Sequence, residues 1–296
     1  MDGHAGQDTS AVRTWGQARS EAARRLRIGA DPGSAALDAD VLLAFSLGVT
    51  KEQLLAHPET DLADADAARL DALLARRAEG EPVAYLRGWK EFYGERYRVD
   101  PRVLIPRPET ETLVEEARSA IAGRAVLVVD VGTGSGAIAC SIALHEPRAR
   151  VIATDSSTDA LAVASQNARE LGVADRIEFR LGDNLSPIAE NVDVVCANLP
   201  YLRDDALAQL AGERTSLAYE PRGAVVAGID GLDLIRRAVA DLPRVLGAGG
   251  VALFECDPPQ TSSLTRLLDA EGLRTRVIRD LAGNDRVVRG DLESPR

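Results

Sequence analysis

Apolar residues recur at helical spacing through the first eighty positions of the chain and then give way to short β-branched runs. Trp15 to Ile28 is rich in Ala and Arg with its apolar positions on one helical face, and Ala35 to Leu47 repeats the pattern. Thr50-Lys51-Glu52-Gln53 has the spacing of a capping box and opens a short helix to His57. Asp66 to Ala78, with Leu70, Leu73 and Leu74, is a further amphipathic helix that Gly80-Glu81-Pro82 ends. Residues 83–105 differ in kind. Five of the eleven aromatic residues (Tyr85, Trp89, Phe92, Tyr93 and Tyr97) fall there, punctuated by Gly88 and Gly94, which predicts a β-hairpin linker.

From residue 111 the pattern alternates strand with helix. Ala125 to Val131, Val151 to Thr154, Ile177 to Leu181, Val192 to Ala197, Ala224 to Ala227 and Val251 to Glu255 predict strands. Ala137 to His145, Asp159 to Leu171 and Leu232 to Leu246 predict the helices between them. Such alternation implies a mainly parallel sheet covered on both faces. Arg274 to Arg279 and Arg286 to Arg289 flank Ala282-Gly283-Asn284 and suit a final antiparallel pair. Residues 1–9 and 291–296 read as disordered ends. The expected organisation is a helical domain over 1–82, a hairpin linker over 83–105, and an α/β, doubly wound domain over 106–296.

The composition narrows the class. At 296 residues and 45% hydrophobic content the chain can fill a sizeable core. A net charge of −11 argues against a protein that coats nucleic acid through its phosphates. Cys140, Cys196 and Cys256 are widely spaced in or beside apolar segments, and with only three scattered histidines no zinc or other metal site is expected. No apolar run reaches membrane-spanning length, and Met1-Asp2-Gly3-His4 does not open a leader segment, so a soluble cytoplasmic protein is expected.

The chemistry concentrates at strand ends. Asp130-Val131-Gly132-Thr133-Gly134-Ser135-Gly136 sets three glycines at alternate positions between a strand and a helix, the context of a nucleotide-binding loop. Asp155, after the next strand, stands where an acidic residue binds ribose hydroxyls, and Asp183-Asn184, after the third, where a carboxylate accepts from an adenine amino group. The loop alone would equally serve a nicotinamide nucleotide. After the fourth strand comes Asn198-Leu199-Pro200-Tyr201. The Asn198 side-chain oxygen and the Leu199 carbonyl form an acceptor pair that can hold a planar –NH₂ group with its nitrogen aimed at a fixed point. Tyr201 can pack on the flat group, and Pro200 biases Leu199 toward an extended backbone. Together these features suggest methyl transfer to a planar nitrogen, catalysed by positioning rather than by a covalent or metal-bound intermediate.

These residues resemble those of class I S-adenosylmethionine-dependent methyltransferases. Gly80 to Leu86, Leu104-Ile105-Pro106-Arg107-Pro108-Glu109-Thr110-Glu111, Tyr219-Glu220-Pro221 and Gly283 to Val288 resemble more specifically the HemK-type release-factor glutamine N5-methyltransferases. The resemblance runs from about residue 35 to 290. It implies a helical N-terminal domain that recognises the substrate, and a seven-stranded sheet whose last strand is antiparallel. It further implies S-adenosylmethionine as methyl donor and, as substrate and partner, the Gly-Gly-Gln glutamine of class 1 peptide chain release factors. By motif position, Gly132, Thr133, Gly134, Ser135, Gly136, Asp155, Asp183, Asn184 and Asn198 would hold the cofactor. Asn198, Leu199, Pro200, Tyr201 and Arg107 would hold the glutamine.

Two letters depart from the family pattern: Leu199 stands where Pro is usual, and Asn184 where some members carry an aromatic residue. Asn-Leu-Pro-Tyr is also the form found in enzymes resembling ribosomal RNA adenine dimethyltransferases. An adenine amino group in RNA or DNA is therefore an alternative acceptor, as is a glutamine of a ribosomal protein. A non-catalytic binder of S-adenosylmethionine and a nicotinamide-dependent dehydrogenase are further alternatives, and neither gives Asn198 and Pro200 a purpose.

Overall fold

A computed structural model describes residues 13–28, 33–205 and 216–293. The chain forms two compact units that divide between Arg87 and Gly88. The first is helical: α1 (Trp15–Leu26), α2 (Ala35–Leu47), α3 (Lys51–Ala56), α4 (Asp64–Ala78) and the short α5 (Val83–Arg87). Capping boxes open α1 at Thr14 and α3 at Thr50, each closed by a Gln at the third helical position. Leu42, Leu43, Leu54, Leu70 and Leu74 fill the core of this unit. The buried Arg77 guanidinium donates to Asp38 at 2.7 Å, so the charge enters the core with its partner. Val83–Arg87 is helical, whereas the aromatic spacing had predicted a hairpin beginning at residue 83.

The hairpin itself is β1 (Trp89–Phe92) and β2 (Glu95–Arg98), joined by Tyr93-Gly94 with φ of 51° and 82°. Positive φ at both central residues is the type I′ turn that matches the twist of paired strands. Phe92 and Tyr97 meet edge to face at 5.9 Å between ring centroids, and the Tyr97 hydroxyl bonds Ser141 Oγ at 2.8 Å. Hairpin and sheet thus share one apolar layer.

The second unit continues with α6 (Glu111–Ile121), β3 (Leu127–Val131), α7 (Ala137–His145), β4 (Arg150–Asp155), α8 (Thr158–Glu170), β5 (Ile177–Leu181) and β6 (Val192–Ala197). Later in the chain come α9 (Asp233–Val245), β7 (Leu246–Glu255), α10 (Thr261–Ala270), β8 (Leu273–Arg279) and β9 (Asp285–Leu292). The seven strands β3–β9 run in the order β5-β4-β3-β6-β7-β9-β8. All neighbours are parallel except those involving β9. Alternate residues of each strand serve opposite layers: Val128, Cys196 and Leu253 face α6 and α7, whereas Val129, Ala197 and Phe254 face α9 and α10. The parallel strands β3 to β6 all end at one edge, where open α/β sheets bind ligands.

Two expectations are corrected. Ala224 to Ala227 is no sheet strand: Arg222–Ala224 is a 3-10 turn, and only Val226 makes an isolated parallel bridge, to Leu202. The run is four residues long between Gly223 and Gly228, and its backbone is spent holding residues 202–204. Asp291 and Leu292, expected in a disordered tail, belong to β9, where Asp291 pairs with Val251 and Leu292 with Leu273. The tail beyond Glu293 and the expected disordered N-terminus, residues 1–9, lie outside the described residues. No described helix is long and apolar enough to cross a membrane.

Candidate active site

Strand register places the chemistry. Val131 of β3 pairs with Ala197 of β6, and Ala197 pairs with Phe254 of β7. The next residue on each strand, Gly132, Asn198 and Glu255, therefore emerges side by side at the ligand-binding edge. Gly132 (φ 68°) approaches Asn198-Leu199 so closely that an added Cβ would stand 3.0 Å from Leu199 Cδ2. A side chain there would be strained by its backbone and would push on Leu199, which is itself buried.

The glycine loop is held from inside. Asp130 is wholly buried; its Oδ2 accepts from Thr133 Oγ1 at 2.6 Å and from the Ala139 N–H at 3.1 Å. Among the described residues its Oδ1 has no hydrogen-bond partner. Burial pushes this carboxyl up to about 7, against the pull of those two bonds. The Thr133 side chain is thus a brace of the loop, and the Ser135 carbonyl is clamped at 2.8 Å by Asn167 of α8. Asp155 accepts from the Gly134 N–H at 2.9 Å through Oδ2 and from the Ser157 N–H at 2.9 Å through Oδ1. Each oxygen keeps a lone pair for a further donor.

A cleft of about 200 Å³ joins Gly132, Gly134, Asp155, Asp183, Asn184, Asn198, Leu199 and Pro200. Leu104, Gly132, Gly134 and Asn198 also line an adjoining recess of about 50 Å³, together with Arg107, Thr110, Thr133 and Ser135. Gly136 and Tyr201 line neither. Gly136 caps α7 and packs on Ala164. Tyr201 is largely buried, its hydroxyl 3.4 Å from Glu255 Oε1, and its phenol is pushed well above the ordinary range, chiefly by burial.

The departures from the family pattern have local answers. Asn184 adopts a left-handed backbone (φ 50°) and turns its amide to the Leu234 carbonyl at 3.1 Å, and Leu234 itself lines the cleft. An apolar side chain thus stands beside the amide that cannot stack. Asp183 is paired with Arg237 at the surface. Arg107 is tied to Glu220, whose wholly buried side chain also accepts from the Ile105 N–H at 3.0 Å. The pair welds segment 104–111 to Tyr219-Glu220-Pro221, so part of the arginine's charge is already met.

The segment after Asn198 is fixed by a strap. Gln260 Nε2 donates to the Tyr201 carbonyl at 2.9 Å and to the Asp230 carbonyl at 3.0 Å. Gly231 (φ 75°) passes so near that a Cβ would stand 2.0 Å from the Tyr201 oxygen. Asn198 Nδ2 donates to Thr110 Oγ1 at 2.9 Å. The Leu199 carbonyl accepts no hydrogen bond among the described residues. Two residues that sequence reasoning did not select, Thr110 and Glu255, therefore touch the motif directly. The available signal for Glu255 was a carboxylate closing the apolar run Val251-Ala252-Leu253-Phe254. Among the described residues no group of His, Cys, Asp or Glu side chains converges to hold a metal ion.

Comparison with known proteins follows the same division. A family model described as the PrmC N-terminal domain matches residues 17–88, and one described as the methyltransferase small domain matches residues 108–215. The chain is 42% identical to the release factor glutamine methyltransferase of Cereibacter sphaeroides, over 87% of this chain and 91% of that protein. It is 44% identical to the protein of the same name from Bordetella pertussis, over 89% and 97%. Among solved structures, the hMettl16 catalytic domain in complex with a MAT2A 3′UTR hairpin shares the fold. Its TM-score is 0.55 at 15% identity, over 79% of this chain and 83% of that one.

Proposed function

The chain belongs to the release factor glutamine methyltransferase family, and from that membership we propose that it methylates the side-chain amide nitrogen of the Gly-Gly-Gln glutamine in class 1 peptide chain release factors. It is an S-adenosylmethionine-dependent methyltransferase, with a seven-stranded sheet of the class I type. The observation that supports the site assignment is one cleft lined by both the glycine loop and Asn198-Leu199-Pro200, with Gly132 so close that an added Cβ would stand 3.0 Å from Leu199.

The residues present fit the cofactor. The glycines let the backbone approach the ligand, Asp155 keeps acceptor capacity for ribose hydroxyls, and Asp183 for an adenine amino group. Leu234 gives the adenine ring the apolar neighbour that Asn184 does not. When bound, S-adenosylmethionine supplies an electrophilic methyl group on a positively charged sulfur. An amide nitrogen is a poor nucleophile because its lone pair is delocalised into the carbonyl, so the task of the chain is positional. Asn198 Oδ1 and the Leu199 carbonyl each take one hydrogen of the substrate –NH₂ group and fix the direction of its nitrogen. Effective molarities on the order of 10⁵ M or more are accessible to well-oriented reactants. The same acceptors favour the positive charge that develops on nitrogen. The Leu199 carbonyl is a main-chain group, so Leu serves as Pro would. Pro200 walls the substrate amide, Tyr201 stands behind the segment with its hydroxyl toward Glu255, and Arg107 stands at the recess beside the amide.

The helical unit, matched by the N-terminal family model, is assigned to recognition of the protein substrate. A cytoplasmic location, where release factors work, accompanies this reading. Nucleic acid is not expected as a stable partner, given the net charge of −11. Asn198→Ala tests the site. Removing one acceptor should lower kcat by roughly a hundredfold or more, with the dissociation constant for S-adenosylmethionine little changed. A variant that methylates release factor near the normal rate would remove Asn198 from its role.

A further inference from the structure

Thr110 closes the 3-10 turn Pro108–Thr110 at the head of α6 and is buried. Its hydroxyl accepts from Asn198 Nδ2 at 2.9 Å, and it stands near enough to the Glu255 carboxyl to draw it down, without a close hydrogen bond between them. Glu255, at the end of β7, is only 1% exposed. Its Oε1 faces the Tyr201 hydroxyl, and among the described residues its Oε2 has no hydrogen-bond partner.

The donor count decides what this arrangement does. An ionised carboxylate can only accept, and a threonine hydroxyl has one hydrogen to give. With that hydrogen directed at the buried carboxylate, the Thr110 oxygen is left as an acceptor toward Asn198. The Asn198 amide must then turn its –NH₂ edge to Thr110, and its Oδ1 takes the opposite direction. Oδ1 bonds no described residue, and Asn198 lines both the cleft and the recess. The reverse orientation would aim two N–H donors at a substrate that itself brings two N–H donors, and the acceptor pair would be lost. We propose that Glu255 and Thr110 are positioning residues for methyl transfer: Glu255 orients the Thr110 hydroxyl, and Thr110 holds the Asn198 amide with Oδ1 presented to the substrate. The inference rests on the glutamine-amide reading above and gives segment 104–111 a task in the reaction.

The charge state of Glu255 enters directly. Burial pushes its carboxyl up to about 7, against the opposing pull of Thr110, Arg286 and Tyr201, with Glu109 raising it further. Cys256 and Asp257 follow it in the chain, and the remaining ionisable neighbours are Glu109 ahead of α6, Tyr201 after β6 and Arg286 on β9. Once protonated, Glu255 can donate to Thr110, and the Thr110 hydrogen is then free to turn to Asn198 and admit the wrong orientation.

The test compares wild type, Thr110→Val, Thr110→Ser and Glu255→Gln as full-length proteins with a purified release factor. Cofactor binding is measured separately by calorimetry. Thr110→Val, nearly the same shape without the hydroxyl, is expected to lower kcat about tenfold or more while S-adenosylmethionine affinity stays within about twofold. Thr110→Ser restores most of the loss. In wild type kcat falls as pH drops through about 7, and Glu255→Gln has a low kcat without that ionisation. A Thr110→Val enzyme with normal kcat, a serine variant as poor as the valine one, or an unchanged acid limb in Glu255→Gln each overturns the proposal. Should Thr110→Val lose cofactor binding, the serine variant and the Glu255→Gln profile decide. Wild type that leaves the glutamine unmethylated while normal S-adenosylmethionine binding persists refutes the substrate reading, and this inference with it.

Discussion

At the residue scale, Asp155 and Gly132 show how far single letters carry. Asp155 was legible because it ends a β-branched run at a fixed distance from a glycine loop, and β4 does end on it. Its two oxygens already take backbone N–H groups of the loop and of α8's cap, so it braces the cleft besides lining it. Asp155→Ala should weaken S-adenosylmethionine binding by about tenfold or more, because both a ligand contact and the loop's brace are lost. Calorimetric titration checks this, and undiminished affinity would place the ribose elsewhere. Thr110 and Glu255 were not legible as a pair. They are 145 positions apart in the chain, and only the register of β6 on β7 sets Glu255 beside Asn198. Sequence periodicity assigns a residue to a strand but does not state which strand lies next to it.

Elements with a strong period were read nearly to the residue. Trp15–Leu26 and Asp233–Val245 carry helical spacing and fall within two residues of their expected bounds. Val192–Ala197 is a buried strand bounded by polar residues. Ala224 to Ala227 misled because four apolar residues between glycines suit either a short strand or a packed turn, and tertiary bonds to residues 202–204 chose the turn. The hairpin was recognised by its aromatics, and its anchoring is now specific. Tyr97→Phe keeps the ring on Phe92 but strands Ser141 Oγ without its 2.8 Å partner. A loss of about 1 kcal/mol in unfolding free energy is expected from urea titration, with methylation kinetics unchanged. A loss below experimental error would mean that the hydroxyls exchange their bond for water.

For the molecule as a whole, two buried carboxyls set a pH dependence. Asp130 and Glu255 are both pushed up to about 7 by burial, whereas in the unfolded chain they titrate near the ordinary carboxylate value of about 4. Between those values the folded state binds more protons than the unfolded one, so stability falls as pH rises. Their contribution is fully present below about pH 4 and lost as pH passes about 7. The melting temperature of the cofactor-free protein should therefore decline between roughly pH 4 and 7, and Asp130→Asn or Glu255→Gln should flatten the decline. Identical slopes in wild type and both variants would show that these carboxyls are already compensated.

The sheet and the methyl donor were foreshadowed by pattern and motif, while the acceptor rested on segments outside the cofactor fold. The decisive measurement is mass spectrometry of purified release factor and ribosomal RNA after incubation with the full-length protein and isotopically labelled S-adenosylmethionine. One labelled methyl group on the glutamine of Gly-Gly-Gln is expected, absent with Asn198→Ala. Label in the RNA with the glutamine unmodified would contradict the assignment.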